Sequence, residues 1–157
     1  MKHSDFRLAA IVILGLLAAP AAGYAAGSSS SEPAAQPDLY KQAKELVDDQ
    51  QYAQAIPLLQ KSIQQKGEYA DALNLLGFSN RKLGDMTKAM TYYTKALNKE
   101  PKHLGANEYM GELYLELNEL PKAEERLAVL KGACGNCEEF EDLDGQIKDY
   151  KKAHGLS

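Results

Sequence analysis

The 157-residue chain has no tryptophan, three phenylalanines and two cysteines. Two cysteines are too few for a disulfide-dense miniprotein or a four-thiolate zinc module. Basic residues are in the minority: 18 Lys and Arg against 22 Asp and Glu give a net charge of −4. A nucleic-acid-binding chain needs a concentrated positive field, which this sequence does not supply. No apolar run reaches the roughly 20 residues that a membrane-spanning helix requires. There is no glycine-rich phosphate loop, because Gly132 and Gly135 belong to the turn around the cysteines. What remains is 25% charged and 45% hydrophobic residues, the composition of an ordinary globular protein with one domain or two small ones. Collagen-like, wholly disordered and polytopic membrane chains are excluded.

The first residues read as an address. Lys2 and Arg7 precede the apolar run Leu8–Ala19, Pro20 breaks it, and the small residues Ala21, Ala22, Gly23, Ala25 and Ala26 follow. This order predicts a signal peptide over 1–25 with cleavage after Ala25, and therefore export to the periplasm or beyond. Twelve apolar residues are short for a retained anchor, and no cysteine lies nearby to carry a lipid. No stable membrane insertion is expected after cleavage. Cleavage removes Lys2, Asp5 and Arg7 and moves the net charge from −4 to −5. Residues 26–37 (AGSSSSEPAAQP) lack hydrophobic periodicity and read as a flexible linker.

Beyond the linker the chain repeats itself. The single shift that carries Ala43 onto Gly77 also carries Gly77 onto Gly111. It superimposes Ala55, Ala89 and Ala123 as well, and then Leu59, Tyr93 and Leu127. Small residues recur where two helices must approach closely, and large ones where the next layer needs filling. The blocks run over 36–69, 70–103 and 104–137. Leu73, Leu76, Gly77, Ala89, Tyr93 and Pro101 in the middle block resemble the tetratricopeptide repeat family. Met110, Gly111, Tyr114, Ala123 and Leu127 carry the resemblance in the third block. Leu39, Ala43, Leu46, Ala55 and Leu59 carry it, more degenerately, in the first. The resemblance implies an all-α, right-handed superhelical solenoid of three helix–turn–helix units over 38–153.

Local signals fit that reading. Gly84-Asp85 ends one helix and opens the next, and Pro121 stands where a helix begins. Pro57 falls early in its helix, where only a first-turn hydrogen bond would be lost. Phe140, Leu143, Ile147 and Tyr150 recur at helical spacing, so a capping helix is expected over 137–153. Asn136 and Glu139 resemble a capping box at its start.

In tetratricopeptide repeat proteins the first helices of successive units line a concave groove that commonly holds a peptide. The resemblance places Tyr40, Lys44, Val47 and Asp48 there from the first block. Asp71, Asn74, Phe78, Arg81 and Lys82 come from the second, and Glu108, Glu112, Leu115 and Glu116 from the third. Glutamates in the third block rule against a clamp for a partner's terminal carboxylate. Glu108, Glu112 and Glu116 recur every four residues as one acidic stripe, whose like charges repel by a few tenths of a kcal/mol per pair. The stripe is either a solvated helix face or a contact for a basic segment of a protein or peptide partner. Self-association through the solenoid ends is a further option for such repeats.

Cys134-Gly135-Asn136-Cys137 joins the third block to the last helix. Glu138 stands where c-type haem attachment needs histidine, and His103 and His154 are too few for a zinc site. Two cysteines in an exported protein normally pair, so a disulfide staple between Cys134 and Cys137 is expected. Thiol-redox or metal-handling chemistry of the same pair is the alternative function. No nucleophile–base pair and no catalytic carboxylate constellation is evident. The expectation is an adaptor or scaffold that is not an enzyme and carries no cofactor.

Overall fold

The computed structural model describes residues 38–156, so the signal peptide expected over 1–25 and the linker over 26–37 lie outside the described residues. Seven helices follow in chain order: α1 (Leu39–Asp48), α2 (Tyr52–Lys66), α3 (Ala70–Lys82), α4 (Met86–Lys99), α5 (Leu104–Glu116), α6 (Leu120–Cys134) and α7 (Glu138–Ala153). No strand occurs among the described residues, and none of these helices is long and apolar enough to cross a membrane. The most extensive contacts pair α1 with α2, α3 with α4, and α5 with α6. Each pair then packs on the next, an all-α repeat solenoid.

The three turns inside the pairs are built alike. Gln50, Gly84 and Asn118 occupy the same register position in successive repeats, and all take positive φ (60°, 85° and 59°). The amide of the following residue reaches back to close the helix: Gln51 to the Leu46 carbonyl at 2.7 Å, Asp85 to Asn80 at 2.9 Å, Glu119 to Tyr114 at 2.8 Å. This is a left-handed helix stop, which satisfies carbonyls that the ending helix leaves bare. Asp85 then caps α4, its carboxylate accepting from the Lys88 amide at 3.0 Å.

Packing follows the repeat register. Ala43, Ala55, Ala89 and Ala123 are fully buried, as are Leu59 and Tyr93. Gly77 is glycine because Tyr93 lies across it. A Cβ there would stand 2.5 Å from the Tyr93 ring carbons Cδ1 and Cε1. Gly111 is pressed in the same way by Leu143 of α7, whose Cδ2 would be 2.5 Å from an added Cβ. Leu143 and Ile147 of α7 are buried together with Leu130 and Ala123, with Phe140 and Tyr150 packed beside them. The last helix therefore covers the apolar end of the third unit.

Two local expectations need correction. Pro57 is the sixth residue of α2, beyond the first turn, so it removes a bond that its amide would have made to the Ala53 carbonyl. No capping box forms before α7: Cys137, one residue later than Asn136, is the N-cap, and no side chain caps that end. Acidic Glu138, Glu139 and Glu141 in the first turn instead complement the positive end of the helix.

Candidate functional site

Helices α1, α3 and α5, with the first residue of α2, present an open cleft of about 390 Å³, lined by Lys44, Val47, Tyr52, Leu75, Phe78, Lys82 and Tyr109 among others. Its floor is aromatic. The Tyr52 and Phe78 rings meet edge-on with centroids 5.8 Å apart, and Phe78 and Tyr109 lie 4.7 Å apart. All three are only partly buried. Lys82 lies over the Phe78 ring, its Nζ 5.2 Å from the centroid, and Lys44 is tied to Asp48 at 2.9 Å. The cleft thus offers apolar faces rimmed by cations, able to hold an aliphatic or aromatic side chain.

Arg81 lies beneath this floor. Its guanidinium carbon is 5.7 Å from the Phe78 centroid and 5.9 Å from that of Tyr109. It binds the Glu116 carboxylate at 2.7 Å and also pairs with Glu112, bridging α3 to α5. Gln146 of α7 donates to Glu112 as well. The Arg81 side chain is 4% exposed. A guanidinium so placed offers a planar fork that no other side chain matches, and it fixes the aromatic pair above it.

The sequence-derived groove residues divide accordingly. Lys44 and Phe78 line the cleft, with Val47, Asp48 and Lys82. Tyr40 packs edge-on against Tyr69, centroids 5.8 Å apart, beside the first core cluster. Asn74 and Leu115 are buried. Asp71 is exposed and accepts from the ring of His103 at 3.1 Å. Arg81 is buried in the ion network and is not free for a partner. The acidic stripe is not uniform: Glu112 and Glu116 are engaged by Arg81, so the repulsion expected along it is answered from within the chain.

Glu108 stands apart: it is only 7% exposed and has no paired cation among the described residues. Burial, then the neighbouring Glu112, Asp142 and Glu139, push its carboxyl up to about 8, against the pull of Arg81. Tyr109 is raised to about 12, by burial first and then by Glu108 and Glu112.

Tyr52, Leu75 and Tyr109 escaped the sequence reading. The register held a signal for two of them, since Leu75 and Tyr109 share one repeat position, next to Asn74 and Glu108. Cys134 ends α6 and Cys137 precedes α7, with Cα atoms 5.7 Å apart, a separation that a disulfide spans. Gly135 between them has φ 78°, which suits glycine.

Comparison with known proteins places this geometry among relatives. Two family models described as tetratricopeptide repeat match residues 40–103 and 80–147, between them most of the chain. The rhomboid protease GluP of Bacillus subtilis is 30% identical over 147 residues, 94% of this chain. The chain spans only 28% of that relative's length. The Yersinia enterocolitica type III secretion chaperone SycD, solved with a peptide of the translocator YopD, superimposes with a TM-score of 0.63. The match has 21% identity and covers 75% of this chain and 90% of that one. A tetratricopeptide repeat protein from Parabacteroides merdae also gives 0.63 at 16% identity, over 78% of this chain and 50% of its own. At these identities the likeness is one of fold.

Proposed function

Because this chain belongs to the tetratricopeptide repeat family, we propose that it is an exported interaction module that holds a peptide segment of a partner protein in its concave groove. One observation carries the reading. Tyr52, Phe78 and Tyr109 form a continuous aromatic floor that is left half-open on the concave side, although it is anchored from below by Arg81. Aromatic rings fixed in place and exposed to solvent are what a partner's apolar side chain needs, because little entropy is lost in ordering them. SycD, which shares the fold, was solved with a peptide bound. Export is supported by the basic start and the apolar run before Pro20. In an oxidising compartment Cys134 and Cys137 would join as a staple between α6 and α7.

The experiment is selection of binding peptides from a random library on the purified protein, followed by titration against Phe78→Ala and Tyr109→Ala. Both variants are expected to weaken the selected peptides by about tenfold or more, the usual loss for a central aromatic anchor. Peptides that bind wild type and both variants equally would place the interaction elsewhere and overturn the groove reading.

A further inference from the structure

A second, smaller pocket adjoins the aromatic cleft. Glu108 and Tyr109 of α5 and Glu138, Glu139 and Asp142 of α7 enclose about 180 Å³. Four carboxylates converge here. Those in the first turn of α7, Glu138 and Glu139, have a structural reason to be acidic, because they sit at the positive end of that helix. Glu108 and Asp142 have none.

Glu108 is the telling residue. It lines the pocket more than nine-tenths buried, yet no hydrogen-bond donor or cation among the described residues pairs with it. Its neighbour Glu112 takes Arg81 and Gln146, and both terminal nitrogens of Arg81 are committed to Glu112 and Glu116. The Glu108 carboxyl oxygens are not sealed from solvent, so the group is unpartnered within the chain yet reachable through the pocket. Among the described residues no three His, Cys, Asp or Glu side chains converge as closely as a metal ion would require. The pocket is narrow, with room for the tip of one long side chain.

We infer that this pocket receives the cationic side chain, arginine or lysine, of the partner segment held in the groove. The inference rests on the groove reading and adds to it the chemistry of a second anchor. Tyr109 is the shared wall, lining both the aromatic cleft and the acidic pocket. One segment with an apolar residue in the cleft therefore carries a neighbouring side chain over the carboxylates. The Tyr109 ring offers a face for the stem or the guanidinium of that side chain. The repeat register agrees: Tyr40, Asn74, Glu108 and Asp142 occupy one position, each a single repeat beyond the last. That position is neutral at the N-terminal end of the solenoid and acidic at the C-terminal end.

The test uses the peptides selected on the wild-type protein. They are expected to pair an aromatic or aliphatic residue with an arginine or lysine at one fixed spacing. Citrulline in place of that arginine keeps the shape and removes the charge. This change is expected to weaken binding to wild type about tenfold or more, the loss of a charge-assisted hydrogen bond. Binding to a Glu108→Gln, Asp142→Asn variant should then change little on the same replacement.

The peptide-side change needs no refolded variant, so it remains decisive if the double variant misfolds. Selected peptides without a cationic preference, or an equal citrulline loss on both proteins, would overturn the pocket and leave the groove standing. No selected peptide at all would overturn the groove and the pocket with it. Displacement of the peptide by calcium chloride, with a calcium-dependent shift of the Glu108 carboxyl carbon resonance, would make the pocket a metal site and overturn the proposal.

Discussion

Gly77, Gly111, Gly132 and Gly145 all lie inside helices but in different surroundings, and alanine should not have the same sign at each. At Gly77 the added Cβ would stand 2.5 Å from two carbons of the Tyr93 ring and 3.0 Å from a third. Carbon atoms pack at about 3.5–4.0 Å, so the ring would have to retreat by roughly 1 Å. Tyr93 is fully buried, so its ring has no open space to retreat into. Overpacking of this kind costs about 1–3 kcal/mol, whereas exchanging glycine for alanine in a helix returns about 1 kcal/mol. The net is a loss of about 1 kcal/mol, or about 4 °C in the melting midpoint of a domain this size.

At Gly132 and Gly145 nothing stands within 4 Å of an added Cβ. There the propensity gain is unopposed, and each alanine should raise the midpoint by about 4 °C. Gly111 falls between these cases, because the atoms it would meet are the flexible end of Leu143. Thermal unfolding followed by circular dichroism reads all four variants. A Gly77→Ala, Tyr93→Leu double variant should be more stable than the two single losses added together, by about 1 kcal/mol. A Gly77→Ala midpoint that rises like that of Gly145→Ala would refute the claim that Tyr93 seals the α3–α4 crossing.

Glu108→Gln should remove a pH dependence. The folded carboxyl titrates near 8 and the unfolded one at its ordinary 4.5, so the folded state holds the extra proton between these values. Stability should fall as pH rises through that window, by an amount on the order of a few kcal/mol, and stay low above it. Denaturant midpoints of wild type and variant that run parallel from pH 4 to pH 9 would refute this. Arg81→Met should destabilise by about 2–3 kcal/mol, less than a fully buried pair costs because Glu116 keeps access to water. An unchanged unfolding midpoint would show that the α3–α5 bridge contributes nothing. Mass spectrometry of the exported protein without reduction should give an N-terminus between Ala22 and Ser28 with Cys134 and Cys137 joined. An intact Met1 start would refute the export reading, and free thiols would refute the staple.

The repeat was legible because its signal is additive along the chain. Ala55, Ala89 and Ala123 sit at one register position, and each is buried for the same reason, the close crossing of paired helices. The apolar spacing of α7 was legible too, since Phe140, Leu143, Ile147 and Tyr150 need only a helical period to share a face. The turn at Gly84 announced itself by its glycine. At Asn118 the signal was weaker, since asparagine tolerates left-handed backbone without requiring it, and at Gln50 residue type gave none.

Which side chains of the groove remain free was decided by tertiary structure alone. The sequence places Arg81, Glu108, Glu112 and Glu116 on the concave helices with equal standing. The fold brings Arg81 of α3 onto Glu112 and Glu116 of α5, and Gln146 of α7 onto Glu112. Glu108 is left buried without a partner, facing carboxylates from α7, a helix far along the chain. Helical period sets which residues share a face of one helix. Whether a charge on that face is neutralised depends on what the neighbouring helix brings within about 3 Å, and no periodicity within one segment contains that distance.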